Sequence, residues 1–259
     1  MVERAPDMVK NDTGTLLRLK QMIGRKAYRA MSRPAAVVLS SLPPAMNYSL
    51  GLKARRSKYP YSLIEPTDTV VQIGAPRDLL KIGRSRSVYF ALMARQGHTV
   101  IIEPDPDNVE AMRAHLRKMG LDKRATVVPL GAWSHEDKLE FLSSPDHPAS
   151  NALGGVVRGS EQEISERKYN RIVVPVDSVD RIIERLGVAA PSLISITTNG
   201  AERQIIDGMR ATIGNGCRYV ALAATEPGLV DFMKERGFEL VAFDDRGYTF
   251  RVPKIARAS

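Results

Sequence analysis

The sequence predicts an α/β domain with a mostly parallel sheet and an antiparallel C-terminal hairpin, preceded by a basic helical extension. Three observations carry this. From about residue 66 onward, short β-branched runs alternate with longer runs of helical period, the pattern of parallel strands joined by crossover helices. The last stretch, FELVAFDDRGYTFRV, falls into two alternating runs around Asp-Asp-Arg-Gly, a hairpin signal. Residues 1–60 carry 12 Lys and Arg against 3 Asp and Glu, whereas the other 199 residues carry 26 of each sign.

Taken in order, residues 1–60 form the basic extension and 61–259 the α/β domain. A helix is expected near 13–31, where Leu16, Leu19, Ile23, Ala27 and Ala30 share one face and Arg18, Arg25 and Arg29 another. The apolar, Pro-rich RPAAVVLSSLPPAM follows it. TVVQIG (69–74) reads as a buried strand. A helix spans 86–96, with Gly97 as its stop. HTVIIEP (98–104) is the second strand, and Asp107 is the expected cap of a helix over 108–119. ATVVPLG (125–131) is the third strand. Residues 138–142 and 171–176 are strands around a polar loop. A helix at 178–187, the strand SLISIT (192–197), a helix at 201–213, the strand RYVALA (218–223) and a helix at 227–236 lead to the hairpin.

Composition excludes several classes. The single cysteine, Cys217, rules out a disulfide framework and a cysteine-based zinc site. No run approaches the roughly 18–20 apolar residues that span a bilayer, and the charged start MVERAPDMVKND lacks a secretory apolar core. A soluble cytoplasmic protein is expected. The net charge of +9 belongs to the extension, so it is no argument for nucleic-acid binding by the main domain. The extension reads either as a helix packed on the domain with a solvated basic side, or as an attachment to an anionic surface such as lipid headgroups, with Lys53, Arg55, Arg56 and Lys58 as a second basic cluster.

The candidate ligand site lies where the strands end. Gly74 and Ala75 follow the first strand, where the chain must turn tightly and approach a ligand closely. Glu103 ends the second strand and is followed by Pro104. A carboxylate there can accept hydrogen bonds from both ribose hydroxyls of a nucleoside, or it can simply be a solvated acid at a strand end. Gly131, Ala132 and Trp133 end the third strand. The small pair leaves room for a purine ring, and Trp133 either packs beside that ring or belongs to the core.

The strings DTVVQIGA, VIIEPDPDNVEAMRAHLRKMGL, VVPLGAWSHEDKLEF, VPVDSVDRII and SLISITTNGAERQIIDGM, in that order, resemble the FkbM family of methyltransferases over about residues 66–250. The most specific piece is Gly200-Ala201-Glu202, which opens a helix directly after an apolar strand. The resemblance implies a Rossmann-like class I methyltransferase fold with a seven-stranded sheet, S-adenosyl-L-methionine as cofactor, and methylation of a hydroxyl on a small-molecule or glycan acceptor such as a sugar or related polyol.

The sequence also departs from the family. Gln72 stands where the family has Asp, which keeps an acceptor and loses a charge. The second glycine is missing; Pro76-Arg77-Asp78 follow instead, in an apparent insertion over 76–85 where Gly83 takes the glycine role. The insertion accounts for the 29 residues between Gly74 and Glu103. Thr197 and Asn199 occupy the family's Asp and Glu positions. A hydroxyl acceptor benefits from a general base. His135 and His147 follow strands on the expected ligand side, while His98 is structural and His115 lies on a helix surface. His147 is either a base or an exposed loop residue. Asn199 and Glu202 are candidates for holding the acceptor, and Glu202 is alternatively a helix cap. The neutral motif positions also allow a binding or scaffold protein that keeps the fold without turnover. A nicotinamide-dependent oxidoreductase is disfavoured because no G-x-G-x-x-G follows the first strand.

Overall fold

A computed structural model describes residues 43–153, 169–223, 228–244 and 247–253. The helix expected at 13–31 and its basic face lie outside the described residues. A seven-stranded sheet forms the centre, in the order β10-β11-β9-β8-β1-β2-β3. Its parallel strands are β1 (Thr69–Ile73), β2 (His98–Ile102), β3 (Ala125–Val128), β8 (Leu193–Ile196) and β9 (Tyr219–Leu222). The hairpin β10 (Glu239–Asp244) and β11 (Gly247–Arg251) closes one edge, with β11 antiparallel to β9.

β1 is buried along its whole length because it pairs on both sides and is covered on both faces. Alternation divides the strand residues between two cores. Val71, Ile73, Val100, Ile102, Ile194 and Ile196 pack on one face with α5 (Val179–Leu186), α6 (Glu202–Asp207) and α8 (Leu229–Glu235). Val70, Ile101 and Leu193 pack on the other with α3 (Arg86–Met93) and α4 (Pro106–Lys118).

That second face also receives α1 (Pro44–Arg55), from the basic extension. Its Tyr48 is fully buried, edge-on to Tyr89 at 5.0 Å and to His115 at 5.6 Å. His115 is therefore half-buried beneath α1 rather than on an open helix surface, and burial lowers its pKa. Arg55 lies over the Tyr89 ring at 4.5 Å and donates to its hydroxyl.

Three local expectations are corrected. The cap of α4 is Asp105, not Asp107: Pro106 takes the first helical position, and the Asp105 carboxylate accepts from the N–H groups of Asp107 and Asn108. The helix at 201–213 is broken into α6 and α7 (Arg210–Gly214). Gly208 packs so tightly on the Trp133 carbonyl that a side chain would collide with it, and Asp180 caps the restart by accepting from Ala211 N–H and Thr212 N–H. The run 125–131 is not one strand. After β3 the chain leaves the main sheet, and β4 (Gly131–Trp133) joins a second sheet with β5 (Asp137–Ser143), β6 (Ala152–Leu153) and β7 (Asn170–Ser178), in the order β4-β7-β5-β6.

Candidate functional site

The carboxyl ends of β1, β2 and β8 open on one crevice. Gly74 leaves β1 at φ +82°, and a side chain on it would run into the Thr197 carbonyl oxygen at the end of β8. The bend thus needs glycine for backbone conformation and for space. Glu103 sits at the end of β2, only 4% exposed. Its Oε2 accepts from the Ala75 N–H at 2.5 Å, and its Oε1 accepts from the Asp105 N–H at 3.0 Å and the Asn108 side-chain amide at 3.3 Å. Burial pushes its pKa up to about 7, against the lowering effect of these three donors.

Gln72 and Thr197 tie β1 to β8. The Gln72 amide donates to the Ile73 and Gly74 carbonyls and to Thr197 Oγ1, and the Thr197 hydroxyl lies 3.0 and 2.9 Å from the same carbonyls. Gln72 is 1% exposed, and its Oε1 has no partner among the described residues.

The crevice has two connected parts sharing Gly74, Ala75, Ala149 and Asn199. The part beside Glu103, Pro104 and Ala132 has a volume of about 60 Å³. The part beside Gln72, Arg84 and Arg86 has about 380 Å³. The first is narrow because the chain between β5 and β6 lies over it. Asn199 donates to the carbonyls of Ala149 and Asn151 at 3.0 and 2.8 Å, while Asn151 donates to Asp105 Oδ2 and accepts from the Ser144 N–H.

The structure therefore brings together Gln72, Gly74, Ala75, Glu103, Pro104, Ala132 and Asn199. It places the other candidates off the lining. Gly83 lies under α1, where a side chain would meet Asn47, and its carbonyl accepts from the Tyr89 hydroxyl. Gly131 packs against Val176 and Leu153, and Trp133 joins the hydrophobic clusters around them. His135 and His147 are exposed. Glu202 is buried behind the lining and accepts from the Thr198 hydroxyl. Residues not anticipated are Asn108 and Asn151, which organise the wall around Glu103, and Arg84, Arg86 and Ser87. The run Asp105-Pro106-Asp107-Asn108 held a signal for Asn108: a capping Asp before Pro places the third residue of the helix back over the strand end.

Among solved structures, the chain is similar to the methyltransferase FkbM of Methylobacillus flagellatus, at 15% identity and a TM-score of 0.50. The match covers 85% of this chain, which spans 59% of the length of that protein. A methyltransferase from Geobacter sulfurreducens is similar at 13% identity and a TM-score of 0.42, over 95% of this chain and 99% of that one. The first likeness shows the fold; the second carries no argument. A search of curated proteins finds no match. A profile of the methyltransferase FkbM domain matches residues 72–248, well over half of the sequence. The chain belongs to the FkbM methyltransferase family, whose cofactor is S-adenosylmethionine.

Proposed function

We propose that the chain is an S-adenosylmethionine-dependent methyltransferase that methylates a hydroxyl on a sugar or related polyol. One observation carries the reading: the Gly74–Ala75 bend and the Glu103 carboxylate form one wall of a crevice at the strand ends, joined by the Ala75–Glu103 hydrogen bond.

The residues present fit the cofactor. A cavity of about 380 Å³ lies within the range of small-ligand pockets, roughly 300–1,000 Å³. The unpartnered Gln72 Oε1 beside it is a buried acceptor that an ammonium group would satisfy. Glu103 uses three of the about four acceptor positions of a carboxylate, which leaves capacity for a ribose hydroxyl. The roughly 60 Å³ beside Glu103 is too small for a nucleoside, so the 144–153 segment shifts when one enters.

When bound, S-adenosylmethionine supplies a methyl group activated by a sulfonium. The protein's part is alignment of an in-line displacement. The side-chain-free bend at Gly74 gives close access to the backbone. Gln72 and Thr197 lock that bend to β8, Glu103 orients the nucleoside, and Asn199 holds the covering segment and faces both parts of the crevice. The supporting experiment is transfer of a labelled methyl group from S-adenosylmethionine to hydroxylated acceptors, followed by mapping of the methylated atom. Methylation at nitrogen or carbon would reject the hydroxyl assignment.

A second reading, a cofactor-binding protein without turnover, is favoured by one observation: neither a carboxylate nor a histidine lines the larger cavity. Any catalytic methyl transfer that disappears with Gly74→Ala removes it.

A further inference from the structure

The larger cavity has a charge that methyl-donor binding does not explain. Arg55, Arg84 and Arg86 line it with Ser85 and Ser87, and no Asp or Glu does. The Arg84 guanidinium makes no hydrogen bond or ion pair among the described residues. Arg86 Nη1 reaches Ser195 Oγ at 3.3 Å, which brings no counter-charge. These residues sit at the start of the eight-residue helix α3, whose N-cap Ser85 makes no side-chain capping bond. The first-turn N–H groups and the helix dipole therefore favour an anion there.

An independent observation points the same way. Ser87 is 1% exposed and lines the cavity, and its Oγ is buried with no partner among the described residues. A buried hydroxyl without a partner destabilises the free protein, and a ligand oxygen would satisfy it. The residues across the cavity, Gln72, Thr197 and Asn199, are neutral. The cofactor itself carries a sulfonium and an ammonium against one carboxylate, so its arrival makes the cavity more positive. The charge is offset only if the second ligand is an anion.

We propose that the methyl acceptor carries a carboxylate or phosphate group, seated at the N-terminus of α3 on Arg84, Arg86 and Ser87. This rests on the methyltransferase reading and narrows it to an acidic sugar, a sugar phosphate or a similarly charged polyol. The cofactor's own carboxylate is the competing source of an anion at this place, and the two are separable.

The test is calorimetry on the full chain at constant ionic strength. Inorganic phosphate, with acetate as its carboxylate counterpart, is titrated with and without saturating S-adenosylhomocysteine. One anion is expected to bind and to remain bound when S-adenosylhomocysteine is present. Arg84→Gln, at an exposed position that does not threaten folding, and Ser87→Ala are each expected to weaken it by about tenfold. Arg56→Gln, exposed and off the lining, is expected to leave it unchanged. Binding that ignores Arg84→Gln and Ser87→Ala overturns the proposal, as does no anion binding by a protein that binds S-adenosylhomocysteine; in both cases the methyltransferase reading stands. Displacement of phosphate by S-adenosylhomocysteine assigns the site to the cofactor and also overturns it. Failure to bind S-adenosylhomocysteine removes the underlying reading and the acceptor proposal together.

Discussion

The Glu103 carboxylate accepts a hydrogen bond from the Ala75 N–H, so the end of β2 holds the turn that follows β1. This contact joins the two elements on which cofactor binding depends. It also places an ionisable group where almost no water reaches it.

The first prediction concerns pH. The Glu103 carboxyl titrates near 4.5 in its ordinary state and about 7 in the folded protein. Between those values the folded state holds a proton that the unfolded chain has released. Its contribution to stability is therefore fully present below the unfolded value and is lost as pH rises through the folded one. The difference is on the order of 3 kcal/mol by the conversion of about 1.4 kcal/mol per pK unit. Urea midpoints of the wild type should fall across this window relative to Glu103→Gln, which stays neutral. Parallel pH profiles for the two proteins would contradict the shift.

Gly74→Ala should destabilise the protein by roughly 2 kcal/mol or more, from the positive φ and the collision with the Thr197 carbonyl. Thermal melting measures the loss. An unchanged melting temperature would show that the bend differs from the one described.

Asp105→Ala removes the cap of α4 and the acceptor of the Ser143 hydroxyl and the Asn151 amide. The expected cost is about 3 kcal/mol, summed from a lost cap and lost buried hydrogen bonds. Denaturant midpoints read it, and a cost near that of a cap alone, about 1 kcal/mol, would show that the 143–151 chain does not depend on Asp105.

Residues 144–153 should change in backbone hydrogen exchange when S-adenosylhomocysteine binds, because they lie over the narrow part of the crevice. Asn199→Ala should speed their exchange in the free protein, by the loss of two bonds to the Ala149 and Asn151 carbonyls. Unaltered exchange on binding would mean that the nucleoside enters elsewhere.

Much of the sheet is readable from the sequence because its strands are buried on both faces: TVVQI, HTVII and LISI are continuous apolar runs with few competing structures. The meeting of Gly74 and Glu103 is readable too, since neighbouring parallel strands end at the same edge. The rest depended on long-range geometry. The second sheet rests on the pairing of β5 with β7, distant segments with no short-range turn signal between them. Whether Gly131 faced a ligand or a neighbour depended on Val176 and Leu153, far away in sequence. The positions of Arg84, Arg86 and Ser87 depended on the path of the chain through 76–85, where the sequence leaves the family's pattern. His147 follows a strand on the ligand side, yet its neighbours Pro148 and Ala149 line the crevice while it faces out.

The most direct measurement is a calorimetric titration of S-adenosylhomocysteine into the full chain and into Glu103→Ala, with folding of the variant checked by its near-ultraviolet circular dichroism. The account predicts one equivalent bound by the wild type and an affinity at least about tenfold lower for the variant, the loss of a hydrogen-bonded carboxylate. No binding by the wild type, or equal affinity in a folded Glu103→Ala, would contradict it.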